Sequence, residues 1–148
     1  METITQALIM EHAVFSGVFD QIERILAGSP SAPEVKVLAT LVEGLLRGHG
    51  ETETNLAYSV LDHALADKQA LHRLHQDHHE IDEHFKRVHR ATDAAEALAA
   101  TRDHFRREEK SVFPLLDQLL QQDTLKALGQ QWMETRFVSA RAGRRTLR

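Results

Sequence analysis

The chain contains no cysteine. That removes disulfides, thiolate metal sites and cysteine nucleophiles together, and it leaves the redox compartment open. Aromatic residues are scarce, at 5% of the 148 residues, and there are three prolines. The formal net charge of −4 provides no basic surplus for nucleic acid or an anionic membrane. No apolar run approaches the roughly 20 residues a membrane span needs. The opening METITQALIMEHAVF carries acids and histidine within its apolar stretch, unlike a signal peptide. There are no β-branched runs of period two, no glycine-rich phosphate loop and no serine triad. A soluble, cytoplasmic protein without nucleic-acid or membrane partners is therefore expected. What the chain has in quantity is histidine, with ten residues, and 22 acidic side chains. Histidine is the commonest metal ligand.

Leu, Ala, Glu, Gln and Arg dominate, which favours helix. Gly28-Ser29-Pro30-Ser31-Ala32-Pro33 is the clearest loop. The first helix is predicted over about residues 2–27, with Ile4, Leu8, Phe15, Phe19, Ile22 and Leu26 buried and His12 at the edge of that stripe. The second starts between Ser31 and Glu34, with Pro33 in its first turn, and runs to about Asp62. Val35, Leu38, Val42, Leu45, Leu56 and Val60 form its stripe, with His49 at the centre and Glu53 beside it; Gly48 and Gly50 flank His49. The third helix is capped by Asp67 and reaches about Arg90, burying Leu71, Leu74, Ile81, Phe85 and Val88; of its histidines only His78 lies well inside the stripe. Thr92 or Asp93 caps the fourth, which reaches about Gln122. Its stripe holds Ala97, Thr101, His104, Glu108, Val112, Leu115 and Leu119, and Pro114 predicts a kink just beyond the polar pair. The expected fold is all-α: an up-down-up-down four-helix bundle over residues 1–122, then a short C-terminal helix and basic tail over 123–148, packed on or trailing from the same domain. The five arginines from Arg136 to Arg148 form a solvated end or a surface for a protein partner.

An internal echo ties two of these helices together. HGETETNLAYSVLD, from His49, aligns without gaps to HFRREEKSVFPLLD, from His104. His49 matches His104, Glu53 matches Glu108, Tyr58 matches Phe113, Leu61 matches Leu116 and Asp62 matches Asp117. A separation of four places histidine and glutamate on one helical face. One such pair is commonplace on a solvated surface; two, each inside an apolar stripe, require burial of two carboxylates.

The polar residues predicted to face the core are His12, His49, Glu53, His78, His104 and Glu108. An unpaired buried carboxylate costs several kcal/mol even after relaxation. Two divalent cations, each with two imidazoles and both bridged by the carboxylates, would account for all six residues. With an oxo or hydroxo bridge, each metal has five donors and, if octahedral, one open position suited to dioxygen, nitric oxide or peroxide. An all-nitrogen-and-oxygen donor set fits iron or manganese, with zinc as an alternative. His63, His72, His79, His84 and His89 are expected at the surface, as are Asp77 and Asp82, although both aspartates are near enough to His78 for an outer supporting role.

Two other metal motifs fail on spacing. His79 and His84 are five apart, where a zinc-protease signature needs four. No acid has a histidine three residues later, as ferritin-like bundles require. The ordered set of His12 in Met10-Glu11-His12, HGETE at 49–53, DHHEID at 77–82 and HFRREEKSVFPLL at 104–116 resembles the hemerythrin-like, HHE cation-binding proteins. The resemblance spans about residues 1–121 and implies a four-helix bundle with a non-haem di-iron centre, bridged by Glu53 and Glu108, that binds a small ligand for sensing, storage or delivery. A redox enzyme acting on peroxide or nitric oxide is the alternative, as is an iron donor in iron-sulfur cluster repair. Oxygen carriers of this family have a fifth histidine and a longer last spacing. Here the first would put Leu74 four before His78, or use His75 with His79, and the second would select Glu109. The chain is more similar to the variant with four histidines and two glutamates.

Overall fold

The computed structural model describes residues 2–145, with side chains described through Arg136. Among them there is no strand; the protein is all-helical. Helix α1 is Ile4–Ala27. Its N-cap, Thr3, accepts from the Gln6 amide at 3.2 Å, while the Gln6 side chain accepts from the Thr3 amide at 2.9 Å. Helix α2 is Ala32–Glu53, followed without a break by a π-helical turn, Thr54–Tyr58, and then Ser59–Ala64. Ser31 caps it and proline sits in its first turn, as expected. Helix α3 is His72–Lys86. Helix α4 is Ala91–Arg107, continued by a second π-helical turn, Glu108–Val112, and by Phe113–Leu119. Helix α5 is Gln122–Arg145.

One π turn follows Glu53 and the other begins at Glu108, so the sequence echo is repeated in the backbone to within one residue. A π turn inserts one extra residue and moves the downstream phase by about 100°. This corrects two predicted stripes. Beyond Glu53 the buried residues are Ala57, Tyr58 and Leu61, while Leu56 and Val60 are only half-buried. Beyond Glu108 they are Val112, Phe113 and Leu116, while Leu119 is exposed. Leu45 is also exposed, with Leu46 buried in its place. Pro114, lacking an amide proton, is the second residue of the segment after the second π turn. The matching turn after Glu53 has no proline, so Pro114 is not its general cause.

Two helix starts also differ from expectation. Asp67 caps a turn, accepting from the Gln69 amide at 2.9 Å, and α3 begins only at His72. Asp93 sits inside the first turn of α4, where its carboxylate accepts from the amides of His89 and Arg90 at 3.1 and 3.0 Å.

Helix α5 is 24 residues long, equal to α1, and therefore not short. It packs along α1. The crossing is close: a β-carbon at Gly129 would sit 2.2 Å from the Glu2 carbonyl oxygen. Four of the five terminal arginines have side chains outside the described residues. The fifth, Arg136, reaches inward to Glu11.

The core has two parts. One contains Ile4, Leu8, Tyr58, Leu61, Leu74, Phe113, Leu116 and Trp132. The other contains Phe15, Phe19, Val42, Leu46, Ile81, Phe85, Leu98 and Phe105. The predicted polar residues come from the stretches of helix that join these two clusters. The aspartates of the echo each tie helices together: Asp117 accepts from Thr5 at 2.8 Å, and Asp62 meets His75 at 2.7 Å. No described helix is long and apolar enough to cross a membrane.

Candidate metal centre

The structure brings together all six residues singled out in the sequence. His12, His49, Glu53 and Glu108 form one group of potential donor atoms, and Glu53, His78, His104 and Glu108 form a second, with the atoms of each group within 4.8 Å of one another. Both glutamates belong to both groups. Five of the six residues are buried; His78 is 18% exposed in its side chain. His12 Nε2 lies 3.5 Å from Glu108 Oε1, His49 Nε2 3.7 Å from Glu53 Oε2, His78 Nε2 3.0 Å from Glu53 Oε1 and His104 Nε2 3.2 Å from Glu108 Oε1.

These contacts are close, yet few are aligned as hydrogen bonds. Seven buried side-chain nitrogen or oxygen atoms among the described residues have no hydrogen-bond partner. Six face inward: His12 Nε2, His49 Nε2, both Glu53 oxygens, His104 Nε2 and Glu108 Oε1. Orphaned imidazole lone pairs and carboxylate oxygens form a donor set that divalent cations would satisfy.

The outer ring nitrogens are held from behind. His12 Nδ1 lies 3.1 Å from Glu109 Oε1, and His104 Nδ1 lies 3.0 Å from Asp77 Oδ2. His78 Nδ1 lies 3.3 Å from the Thr54 hydroxyl. His49 Nδ1 faces Glu11 Oε1 at 3.4 Å without a formed hydrogen bond. A proton held on Nδ1 leaves the Nε2 lone pair free to bind inward.

Asp77 thus takes a different place from that expected. Asp77 is 3% exposed, not on the surface, because Arg107 and Arg73 join His104 in donating to it. Glu109 lies outside the cluster, leaving Glu108 as the shared carboxylate. His75 is turned to Asp62, and Leu74 is in the apolar core. His79 is exposed. Of the flanking glycines, Gly48 is the tighter: a β-carbon there would come within 3.0 Å of Arg136 Nη1, whereas one on Gly50 would make ordinary contact with the His78 ring at 3.6 Å.

Tyr58 was missed in the sequence. It is the only tyrosine. Its hydroxyl donates to Glu108 Oε2 and lies 3.4 Å from His78 Nε2, and its ring stacks on His78 at 5.0 Å. An α-helical reading does not bring a residue five after Glu53 to the site; the π turn does. Its match to Phe113 in the echo was the available signal.

Protonation follows the same geometry. Burial, then the neighbouring Glu108 charge, pushes the Glu53 carboxyl well above the usual range. Burial also raises Glu108, but its close contacts with Glu53, His104 and His78 outweigh it and hold that carboxyl well below its ordinary value. Two carboxylates so close cannot both stay charged unless a cation replaces the shared proton. Burial lowers His12 to about 3, and it lowers His78 too. In His104 burial is overcome by Glu108 and Asp77, and the value rises. Burial, with Glu53 and Glu108 adding to it, raises the Tyr58 phenol, which keeps its proton.

A cavity of about 450 Å³ reaches the centre from outside, with His49, His78 and His104 on its wall beside Phe105, Ile81 and Thr101. The paired His/Glu groups within packed helices define a class of helical proteins whose donors suit cations. The chain belongs to the hemerythrin HHE cation-binding domain family, whose model matches residues 3–116. Neither the curated proteins nor the solved structures yielded a match to it.

Proposed function

We propose that the chain holds two iron ions in an up-down-up-down four-helix bundle and binds dioxygen or nitric oxide there for sensing, storage or delivery in the cytoplasm. His12 and His49 serve one ion, His78 and His104 the other, and Glu53 and Glu108 bridge them. The observation that carries this reading is the set of six inward, unpartnered atoms. Each unsatisfied buried polar atom costs about 1–3 kcal/mol, so six cost on the order of 10 kcal/mol, comparable to the whole stability of a domain. Cations remove that cost. Iron is the metal most consistent with the family and the nitrogen and oxygen donors, with manganese or zinc as alternatives. When bound, it would supply reversible electron exchange with a small molecule. The protein's part is to hold the four imidazoles as neutral donors, to keep the centre between two apolar clusters, and to admit the ligand through the cavity beside His78 and His104.

Anaerobic loading with ferrous iron, a metal count and optical spectra before and after dioxygen or nitric oxide test this. About two irons per chain and a reversible optical change are expected. Fewer than one iron per chain, or no optical response to either gas, would overturn it.

A second reading, a redox enzyme acting on peroxide or nitric oxide, gains support from Tyr58. Its protonated hydroxyl donates directly to Glu108 and supplies a proton-bearing group at the centre. On that reading Tyr58→Phe retains its iron and loses turnover by about a hundredfold, within the usual range for a positioned proton donor. Unchanged turnover in Tyr58→Phe counts against it.

A further inference from the structure

We propose that the C-terminal helix is a working part of the metal centre: Trp132 and Arg136 clamp Glu11, and Glu11 is the positioning residue for His49. This rests on the reading of His49 as a ligand. Both clamp residues lie beyond the family match, which ends at residue 116.

The four imidazoles differ in what stands behind them. His12, His78 and His104 are backed by Glu109, Thr54 and Asp77, all within the matched segment. His49 is backed by Glu11, whose other partners both come from α5. Trp132 Nε1 donates to Glu11 Oε2 at 3.0 Å, and Arg136 donates to Oε1, the oxygen that faces His49 Nδ1. A glutamate has three rotatable side-chain bonds, and two donors from one helix fix where its oxygens lie. Metal ligation through Nε2 leaves the His49 proton on Nδ1, the nitrogen 3.4 Å from that fixed carboxylate.

The neighbourhood is shaped for this clamp. Trp132 is 1% exposed and meets the His49 ring edge-on at 5.5 Å. The Arg136 guanidinium lies 5.9 Å over the Trp132 ring. Gly48, the residue before His49, leaves room for Arg136, whose Nη1 would be 3.0 Å from a β-carbon there. Gly129 allows α5 to approach the start of α1, one turn before Trp132.

The test uses the full-length chain loaded with cobalt(II), a paramagnetic probe. Chelator competition gives stoichiometry and affinity, and proton NMR reports the exchangeable, paramagnetically shifted N–H signals of ligating imidazoles. Glu11→Gln, Arg136→Met and Trp132→Phe are compared with wild type. Trp132→Phe removes the N–H together with part of a buried ring, whereas Glu11→Gln and Arg136→Met leave that ring in place, which separates positioning from packing. The expected result is two cobalt ions per wild-type chain and, in each variant, a 10- to 100-fold weaker affinity at one of the two sites. One imidazole N–H signal shifts or exchanges faster while the others stay. Unchanged affinity and an unchanged N–H pattern in Glu11→Gln overturn the inference, as does equal weakening of both sites in all three variants. A wild-type chain that takes up no cobalt overturns the metal reading itself and this inference with it, a result distinguishable from the other two.

Discussion

His12 is kept neutral by its surroundings. Burial lowers it to about 3, opposed by Glu108, and its ring stacks on Phe105 at 3.8 Å. In the unfolded chain a histidine titrates near 6.5. Between those values the unfolded chain binds a proton that the metal-free folded chain does not, so stability falls as pH drops from about 6.5 toward 3, by at most about 1.4 kcal/mol per pH unit. Asp77 acts in the same direction lower down. Burial raises its carboxyl, but His104, Arg73 and Arg107 outweigh it, so its contribution is present above the unfolded value and lost as pH falls through the folded one. His104 runs the other way: its folded value is raised, and its contribution is lost as pH rises through it. Urea midpoints of metal-free His12→Gln between pH 7 and 4 should therefore fall less steeply than those of wild type; parallel curves would refute this account. The four-residue His/Glu spacing made four of the six inward residues legible from sequence, because side chains four apart share a helical face, and the apolar stripes added His12 and His78. Glu11 and Glu109 were not legible as supports, and Asp77 was legible only as a neighbour of His78, not as the partner of His104. Each lies next to a histidine or glutamate of the centre in sequence, but its partner is on another helix.

The π turns decide which residues follow the two glutamates inward. A strict 100° per residue places Leu56, Val60 and Leu119 on the buried face; the extra residue in each turn substitutes Ala57, Tyr58, Leu61 and Leu116. Periodicity could not show this, since a one-residue insertion leaves both flanking patterns intact and changes only their phase. The gapless echo did carry it: Tyr58 with Phe113 and Leu61 with Leu116 are buried pairs. An inserted residue can be removed. Deleting exposed Asn55, inside the first π turn, should give a regular helix with Tyr58 four after Glu53 in the chain and still on the same face. Deleting Arg47, exposed and in regular α-helix, instead turns His49 and Glu53 by about 100° relative to the preceding stripe. The first variant should keep its helicity and most of its melting temperature, and the second should lose both. Circular dichroism melts of the metal-free chains check the order, and equal losses would remove the insertion argument.

For the whole molecule, the five-helix count was legible from sequence, but the reach of the last helix was not. Leu125, Leu128 and Trp132 are among its buried residues, and nothing local in the sequence marks that Trp132 and Arg136 meet Glu11 more than a hundred residues away. Gly129 is the point where α5 comes against the backbone at the start of α1. A β-carbon there would lie 2.2 Å from the Glu2 carbonyl oxygen, 2.8 Å from the Thr3 carbonyl carbon and 2.9 Å from the Ile4 nitrogen. Alanine in a helix is otherwise favoured over glycine by roughly 0.5–1 kcal/mol. Overpacking costs about 1–3 kcal/mol, and here the obstacle is backbone, which cannot swing aside as a side chain would. The clash should win. Gly129→Ala should be destabilised by about 1–2 kcal/mol, read as a lower urea midpoint. Moving α5 away from α1 should also free Glu11, so the same variant should show faster exchange of the Trp132 indole N–H. A stability equal to or above wild type would mean that the two helices can separate at no cost, and the close crossing would then not be what seats α5 on the site.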